Sequence, residues 1–246
     1  TFDGTEFTTS GLKNSDAVTK VTLTSSGAAA TANVAGSPYD IVPSAAVGTG
    51  LDNYTITYAT GTLTVNKAAL SITPTSQTKT YGFGGTSASL GTTAFTSTGL
   101  QNSETIGSVT LSTNDTLSSS GNYNAGTFNL TASAATGGTF NANNYTITYN
   151  TATNALTVGL KSLTISGVSG TNKTYDGTTN DPITGTATLS GKVTGDTVTV
   201  NAGTASFASA SVGTGKTVTF SGFTISGTDS ANYSISQPSN STANIA

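Results

Sequence analysis

The 246-residue chain has no cysteine, histidine, methionine or tryptophan, and its eight basic residues are all lysine. Without thiol or imidazole it lacks the usual nucleophiles, soft-metal ligands and proton shuttles that work near neutral pH. Carboxylates are also sparse: glutamate occurs only at Glu6 and Glu104. A pair of carboxylates held about 5 to 10 Å apart in a cleft, as glycoside hydrolysis needs, is therefore not expected. Eight scattered lysines on a chain of net charge -3 cannot displace the counterions of a nucleic acid, so that partner is excluded as well. No run approaches the roughly 18 apolar residues of a membrane helix. The first residues lack the basic and apolar regions of an export signal.

Thr, Ser, Gly, Ala and Asn fill the space left by these absences. Low charge argues against disorder, which usually couples weak hydrophobicity to high net charge. Apolar residues alternate with Thr and Ser, the pattern of half-buried strands. Cysteine-free and rich in small polar residues, the chain suits export and folding outside the cell without disulfides.

Three markers recur in one order. An Asn-Tyr pair opens an alternating strand at Asn53 to Tyr58, Asn144 to Tyr149 and Asn232 to Ser236, the pairs standing 91 and 88 positions apart. A Thr-aromatic motif stands at Thr1-Phe2-Asp3-Gly4, Thr80-Tyr81-Gly82-Phe83 and Thr174-Tyr175-Asp176-Gly177. A Gly-Leu turn ends on an acid at Ser10 to Asp16 and Thr98 to Glu104, and more loosely at Leu189 to Asp196. Such spacing marks tandem repeats of one supersecondary unit. The boundaries fall at 1–67, 68–160 and 161–246.

The pattern predicts an all-β fold of three small antiparallel sandwiches of immunoglobulin-like type, with a β-grasp-like unit as the alternative. Each Asn-Tyr strand is expected to form a hairpin with the strand after it, Gly61 to Val65 or Ala155 to Val158. Tyr54, Ile56 and Tyr58 share one face and should be core. A short helical turn is expected before Asn53 and Asn144. Junctions of about four residues, Asn66 to Ala69 and Gly159 to Ser162, leave no flexible linker and imply a stiff rod.

These residues resemble two repeat families of large secreted bacterial adhesins similar to filamentous haemagglutinin. Residues 1–160 resemble two MBG-type modules, through Lys79-Thr-Tyr-Gly82, the Gly-Leu-x-Asn-Ser turns and Asn-Tyr-Thr-Ile-Thr-Tyr. Residues 161–246 resemble a YDG-type module, through Lys173-Thr-Tyr-Asp-Gly-Thr-Thr179, Thr184 to Gly191, Gly195 to Val198, Ser211 to Thr219 and Ser230 to Ser236. The resemblance implies extracellular or cell-surface stalk repeats with no enzyme activity. It leaves two alternatives: modules that bind an exopolysaccharide, and a self-associating filament. Thr1 aligns with a motif that elsewhere follows an opening strand, Leu70 to Thr73 or Leu163 to Ser166. The first module is thus expected to lack that strand, as in a window through a longer array. A strand from another copy is not expected to fill the gap, because the chain carries no spare one.

Candidate sites each have a plain structural reading. Asp16, Glu104 and Asp196 recur as turn residues. Asp176, Asn180 and Asp181 offer hard oxygens of the kind Ca²⁺ prefers, but Gly82 replaces the first of them in the second repeat, so neither metal nor cofactor is expected. Lys79 and Lys173 precede the aromatic motif, where isopeptide crosslinking is conceivable and a solvated loop lysine is expected. Tyr81 and Tyr175 could stack on sugar rings; a core anchor is the expected role. Sequons at Asn53, Asn144 and Asn172 follow from composition alone.

Overall fold

A computed structural model describes residues 1–246. The chain is all-β, with 49% strand and 8% helix, in several small, mostly antiparallel sheets. It divides into two compact units, Thr1–Ile72 with Ser97–Val109 and Ala134–Tyr149, and Thr73–Thr96 with Thr110–Ser133 and Asn150–Ala246. The second repeat contributes residues to both units, so each unit holds one junction between consecutive repeats.

In the first unit, Ala17–Thr24, Tyr39–Thr49 and Gly61–Leu63 form an antiparallel sheet in that order. A bulge disturbs the register of its first pair between Val18 and Thr22, and Ala45 opposite lies at φ 46°. A second sheet places the strand Ala68–Pro74 between Phe95–Thr98 and Tyr145–Tyr149. Period two sends Leu70 and Ile72 to one face, where both are buried, while Ser71 and Thr73 between them are only half-buried.

In the second unit, the strand Lys161–Ser169 lies between Thr184–Ser190 and Tyr233–Ser236. A facing sheet runs Asn180–Asp181, Thr204–Phe207, Gly213–Ser221, Ser241–Ile245. The inward faces meet in a cluster of Ile165, Phe207, Val218, Phe220, Phe223 and Ile245. Full burial of such side chains stabilises by about 1.5 to 3 kcal/mol each.

Three expectations are corrected. The face of Tyr54, Ile56 and Tyr58 is not core, Tyr54 being half-buried and Ile56 and Tyr58 exposed. The sheets are not purely antiparallel, because each opening strand pairs parallel with the Asn-Tyr strand of its own repeat: Leu70 lies opposite Ile147 and Leu163 opposite Ile235. Nor does the Asn-Tyr strand form a hairpin with its successor. Tyr145–Tyr149 and Thr151–Gly159 belong to different sheets. Only Asn150 separates them, and a hairpin needs a loop of at least about two residues, so the chain passes from sheet to sheet.

The helical turns expected before the Asn-Tyr pairs are present as single 3-10 turns, Leu51–Asn53 and Ala142–Asn144, with a third at Ser230–Asn232. The second junction is tighter than four residues: Leu160 alone separates Thr151–Gly159 from Lys161–Ser169.

Candidate functional site

The three Gly-Leu turns end in four-residue β-turns closed by backbone bonds from Asp16 to Lys13, Glu104 to Gln101 and Asp196 to Val193, at 2.8, 2.9 and 3.2 Å. Asn14 and Ser15, like Asn102 and Ser103, sit at φ between 51° and 65°. Two consecutive left-handed residues make a type I′ turn. In the third repeat Thr194 is β-branched and avoids that region, so Gly195 alone takes positive φ, at 97°.

Each turn is clasped by the tyrosine of the Asn-Tyr pair. The Tyr54 hydroxyl donates to Asp16 Oδ2 at 2.8 Å and accepts the Lys13 N–H at 2.8 Å. Tyr145 donates to Glu104 and accepts from Gln101 N at 2.9 Å. Tyr233 donates to Asp196 Oδ2 at 2.5 Å and accepts from Val193 N at 2.9 Å. One hydroxyl thus ties both ends of the turn to the segment opened by the Asn-Tyr pair, with the charged acceptor giving the stronger bond. Burial, reinforced by Glu104, pushes the Tyr145 hydroxyl above its ordinary value. Burial followed by Asp196 does the same to Tyr233.

The asparagine beside that tyrosine serves the junction with the preceding repeat. In the first unit Asn144 Nδ2 donates to Asn33 Oδ1 at 2.8 Å, and the Val34 N–H donates to Asn144 Oδ1 at 3.0 Å. In the second unit Asn232 Nδ2 donates to Asn124 Oδ1 at 3.0 Å, and the Ala125 N–H donates to Asn232 Oδ1 at 2.7 Å. This two-bond clasp has the same form in both.

The second junction adds buried carboxylates. Asp196, 4% exposed, accepts from Tyr81 at 2.6 Å and from Ser120 N at 3.2 Å besides Tyr233. Asp229, 3% exposed, accepts from Ser119 N at 3.0 Å and Thr197 N at 2.8 Å. The Tyr81 and Tyr233 rings meet edge to face, centroids 5.2 Å apart. Desolvation pushes the Asp196 carboxyl up, but the bonds from Ser120, Tyr233 and Tyr81 outweigh it and hold it below the ordinary aspartate value. Asp229 is likewise lowered, its bonds outweighing burial.

The other candidates have distinct places. The Glu6 carboxylate accepts the N–H groups of Asp3, Gly4 and Thr5 and closes its own loop. Lys173 is not the solvated loop lysine expected: its side chain is 11% exposed and its Nζ donates to Asp176 Oδ1, Thr178 O and Asn180 O. The loop turns these oxygens inward around the ammonium. Lys173 holds the Asp176 carboxyl down at about 2, helped by the Thr178 N–H and hydroxyl. Asp181 instead accepts the Thr171 N–H with both oxygens, so the two carboxylates do not converge. Lys79 sits 5.9 Å from the Phe83 ring centroid. Tyr81 is a buried anchor, as expected, whereas Tyr175 is 56% exposed. Of the sequon asparagines, Asn144 is occupied in a junction and Asn172 Oδ1 accepts the Asn244 N–H at 2.7 Å.

Sequence reasoning missed the asparagine clasp. Its signal was available: an Asn stands 20 positions ahead of the Asn-Tyr pair in the first two repeats, at Asn33 and Asn124.

Tandem β repeats in which the recurring acid, tyrosine and asparagine side chains fasten turns and junctions are consistent with a structural role. Residues 2–64 match the MBG domain (YGX type) family and residues 159–242 match the YDG domain family, so the chain carries an MBG domain and a YDG domain. Both are non-catalytic repeat domains of surface proteins. No curated protein and no solved structure matches the chain. No helix is long and apolar enough to cross a membrane.

Proposed function

We propose that the chain is a spacer segment of a secreted bacterial adhesin or biofilm-matrix protein, holding other parts of that protein away from the cell. The observation that carries this reading is the repeated junction clasp, Asn144 on Asn33 and Asn232 on Asn124, reinforced by the buried Asp196 and Asp229. A spacer transmits position only if consecutive repeats cannot pivot freely, and bonds that fix side-chain amides to backbone across each junction oppose pivoting. No catalytic step and no cofactor enters this function. Small-angle scattering tests it: three repeats in series, each about 30 to 40 Å long by globular scaling, give a maximum dimension beyond about 90 Å. A compact particle, or the broad distribution of a flexible chain of beads, would overturn the reading.

Tyr175 favours a second reading. It is a large aromatic side chain, 56% exposed, on a loop, and its apolar face suits stacking on a sugar ring. The modules would then bind an exopolysaccharide directly. Retention of glycans by the chain but not by a Tyr175→Ala variant supports that reading, and equal retention by both removes it.

A further inference from the structure

The third repeat contains a cavity of about 510 Å³, within the usual range for a small-molecule site. It exists because the strand Asn180–Asp181 stops after two residues. Pro182 has no N–H with which to extend the ladder, so Thr204, which would face it, pairs only with Ser221 on its other side. The chain then crosses to Thr184–Ser190, the outer strand of the facing sheet, and a gap is left between the two sheets. Small residues keep the gap open: Gly185 and Ala187 on one side, Gly203 and Ala205 on the other.

The floor is Phe223, 3% exposed. The Gln237 amide holds its backbone at both polar groups: the Phe223 N–H donates to Oε1 at 2.9 Å, and Nε2 donates to the Phe223 carbonyl at 3.0 Å. Gly203 lies so close to the ring that an added Cβ would stand 2.4 Å from Cδ2. The floor is therefore fixed before anything binds, which lowers the cost of binding.

Of the residues lining the cavity, Asp181 alone is charged. It is 7% exposed, and its carboxylate accepts a single N–H, that of Thr171, shared between the two oxygens at 3.1 Å each. A carboxylate offers about four lone-pair sites. The other two deeply buried carboxylates that serve the junction are better supplied. Asp196 receives Tyr81, Tyr233 and Ser120 N, and Asp229 receives Ser119 N, Thr197 N and the Thr228 hydroxyl. Nor does a cation compensate Asp181. The ion pair of this loop joins Lys173 to Asp176, and Lys173 reaches the strand Asn180–Asp181 only through the Asn180 carbonyl. Buried charges are ordinarily paired, so what this wall lacks is a positive charge carrying donors.

We propose that the cavity binds an aliphatic primary ammonium, its head on the Asp181 carboxylate and its alkyl body against Phe223, Ile183 and Val168. An ammonium brings three donors to a carboxylate that receives one, and it neutralises the charge. A neutral polyol would bring donors and leave the charge unmatched. Ca²⁺ would need about six to eight oxygen ligands, and Asp181 is the one carboxylate on the wall. The site belongs to the third repeat and does not depend on the spacer reading.

The test titrates the full chain with n-butylammonium chloride, and separately with 1-butanol, at constant ionic strength, following amide resonances. Saturable shifts are expected at Gly185, Ala187, Gly203 and Ala205, with n-butylammonium binding roughly tenfold more tightly than 1-butanol, the worth of one bond to a charged group. Asp181→Asn keeps an oxygen to accept the Thr171 N–H and should bind the two probes equally. Ala187→Leu fills the gap and should abolish the binding of both. Equal affinity of the parent chain for the two probes, an undiminished affinity of Asp181→Asn for n-butylammonium, or the absence of saturable shifts at these four residues would each overturn the proposal. The comparison of probes on the parent chain decides the matter even where a variant does not fold.

Discussion

Replacing Asp196 by alanine should be the most damaging carboxylate substitution in the chain. The side chain receives Tyr81 at 2.6 Å, Tyr233 at 2.5 Å and Ser120 N at 3.2 Å. Bonds to a charged acceptor contribute about 1.5 to 3 kcal/mol each, and a buried donor left unpaired costs about 1 to 3 kcal/mol. Tyr81 has a weak fallback in Ser120 Oγ at 3.5 Å, whereas the Tyr233 proton has none, its hydroxyl oxygen being occupied by the Val193 N–H. The expected loss is about 3 to 5 kcal/mol. Asp16→Ala removes a single bond at a partly exposed site and should cost about 0.5 to 1.5 kcal/mol. Urea unfolding followed by near-ultraviolet circular dichroism of the tyrosines measures both, and a Tyr81→Phe, Asp196→Ala double-mutant cycle isolates the bond from Tyr81. Equal losses at the two sites, or a coupling below about 0.5 kcal/mol, would refute the assignment of Asp196 as the hub of this junction. The pH dependence has a definite sign. Asp196 and Asp229 are held below the ordinary value of 3.8, so their contribution is complete above that value and is lost as pH falls below it, through the folded-state values. Asp196→Asn should flatten this acid limb.

Asn232→Ala breaks two buried bonds and should cost about 2 to 3 kcal/mol, against about 1 kcal/mol for Asn144→Ala, whose site is only half-buried, as thermal melts of the two variants will show. At the alkaline end the raised Tyr233 hydroxyl contributes stability that is complete below pH 10.0 and lost as pH rises above it. Spectrophotometric titration of Tyr233→Phe should lack a late-ionising step that the parent chain shows. Ser103→Gly replaces a side chain held at φ 58° and should stabilise by about 0.5 to 1 kcal/mol in urea, since glycine accepts the left-handed region freely.

The repeats, the β class and the turn positions were legible because they are local: Gly-Leu turns, alternating strands and the Asn-Tyr pair each fit within a few residues. The clamp was not, because Tyr54, Tyr145 and Tyr233 lie 38, 41 and 37 positions from their acids, and the bond from Tyr81 to Asp196 spans 115. The recurrence of an acid at the turn's last position pointed to turn chemistry, and only tertiary contact reveals it as an acceptor for a distant hydroxyl. Lys173 was misjudged for a related reason. Two of its four partners are the backbone carbonyls of Thr178 and Asn180, which leave no mark in residue identity.

The Asn-Tyr pair is a good repeat marker because its two residues do different work from adjacent positions. Asn144 and Asn232 sit at the end of a 3-10 turn and clasp the preceding repeat, while Tyr145 and Tyr233 begin the next strand and fasten their own turn. Loss of either member breaks a different connection, so the pair works as a unit. The two junctions differ where one aromatic residue differs. Tyr81 supplies a hydroxyl that lets Asp196 serve both turn and junction, whereas its counterpart in the first repeat, Phe2, has none to give. The first junction rests instead on amides, with Asn141 and Asn144 both donating to Asn33 Oδ1. Neutral bonds at half-exposed sites are worth less than buried charge-assisted ones, so in acid the second junction should lose strength while the first keeps its own.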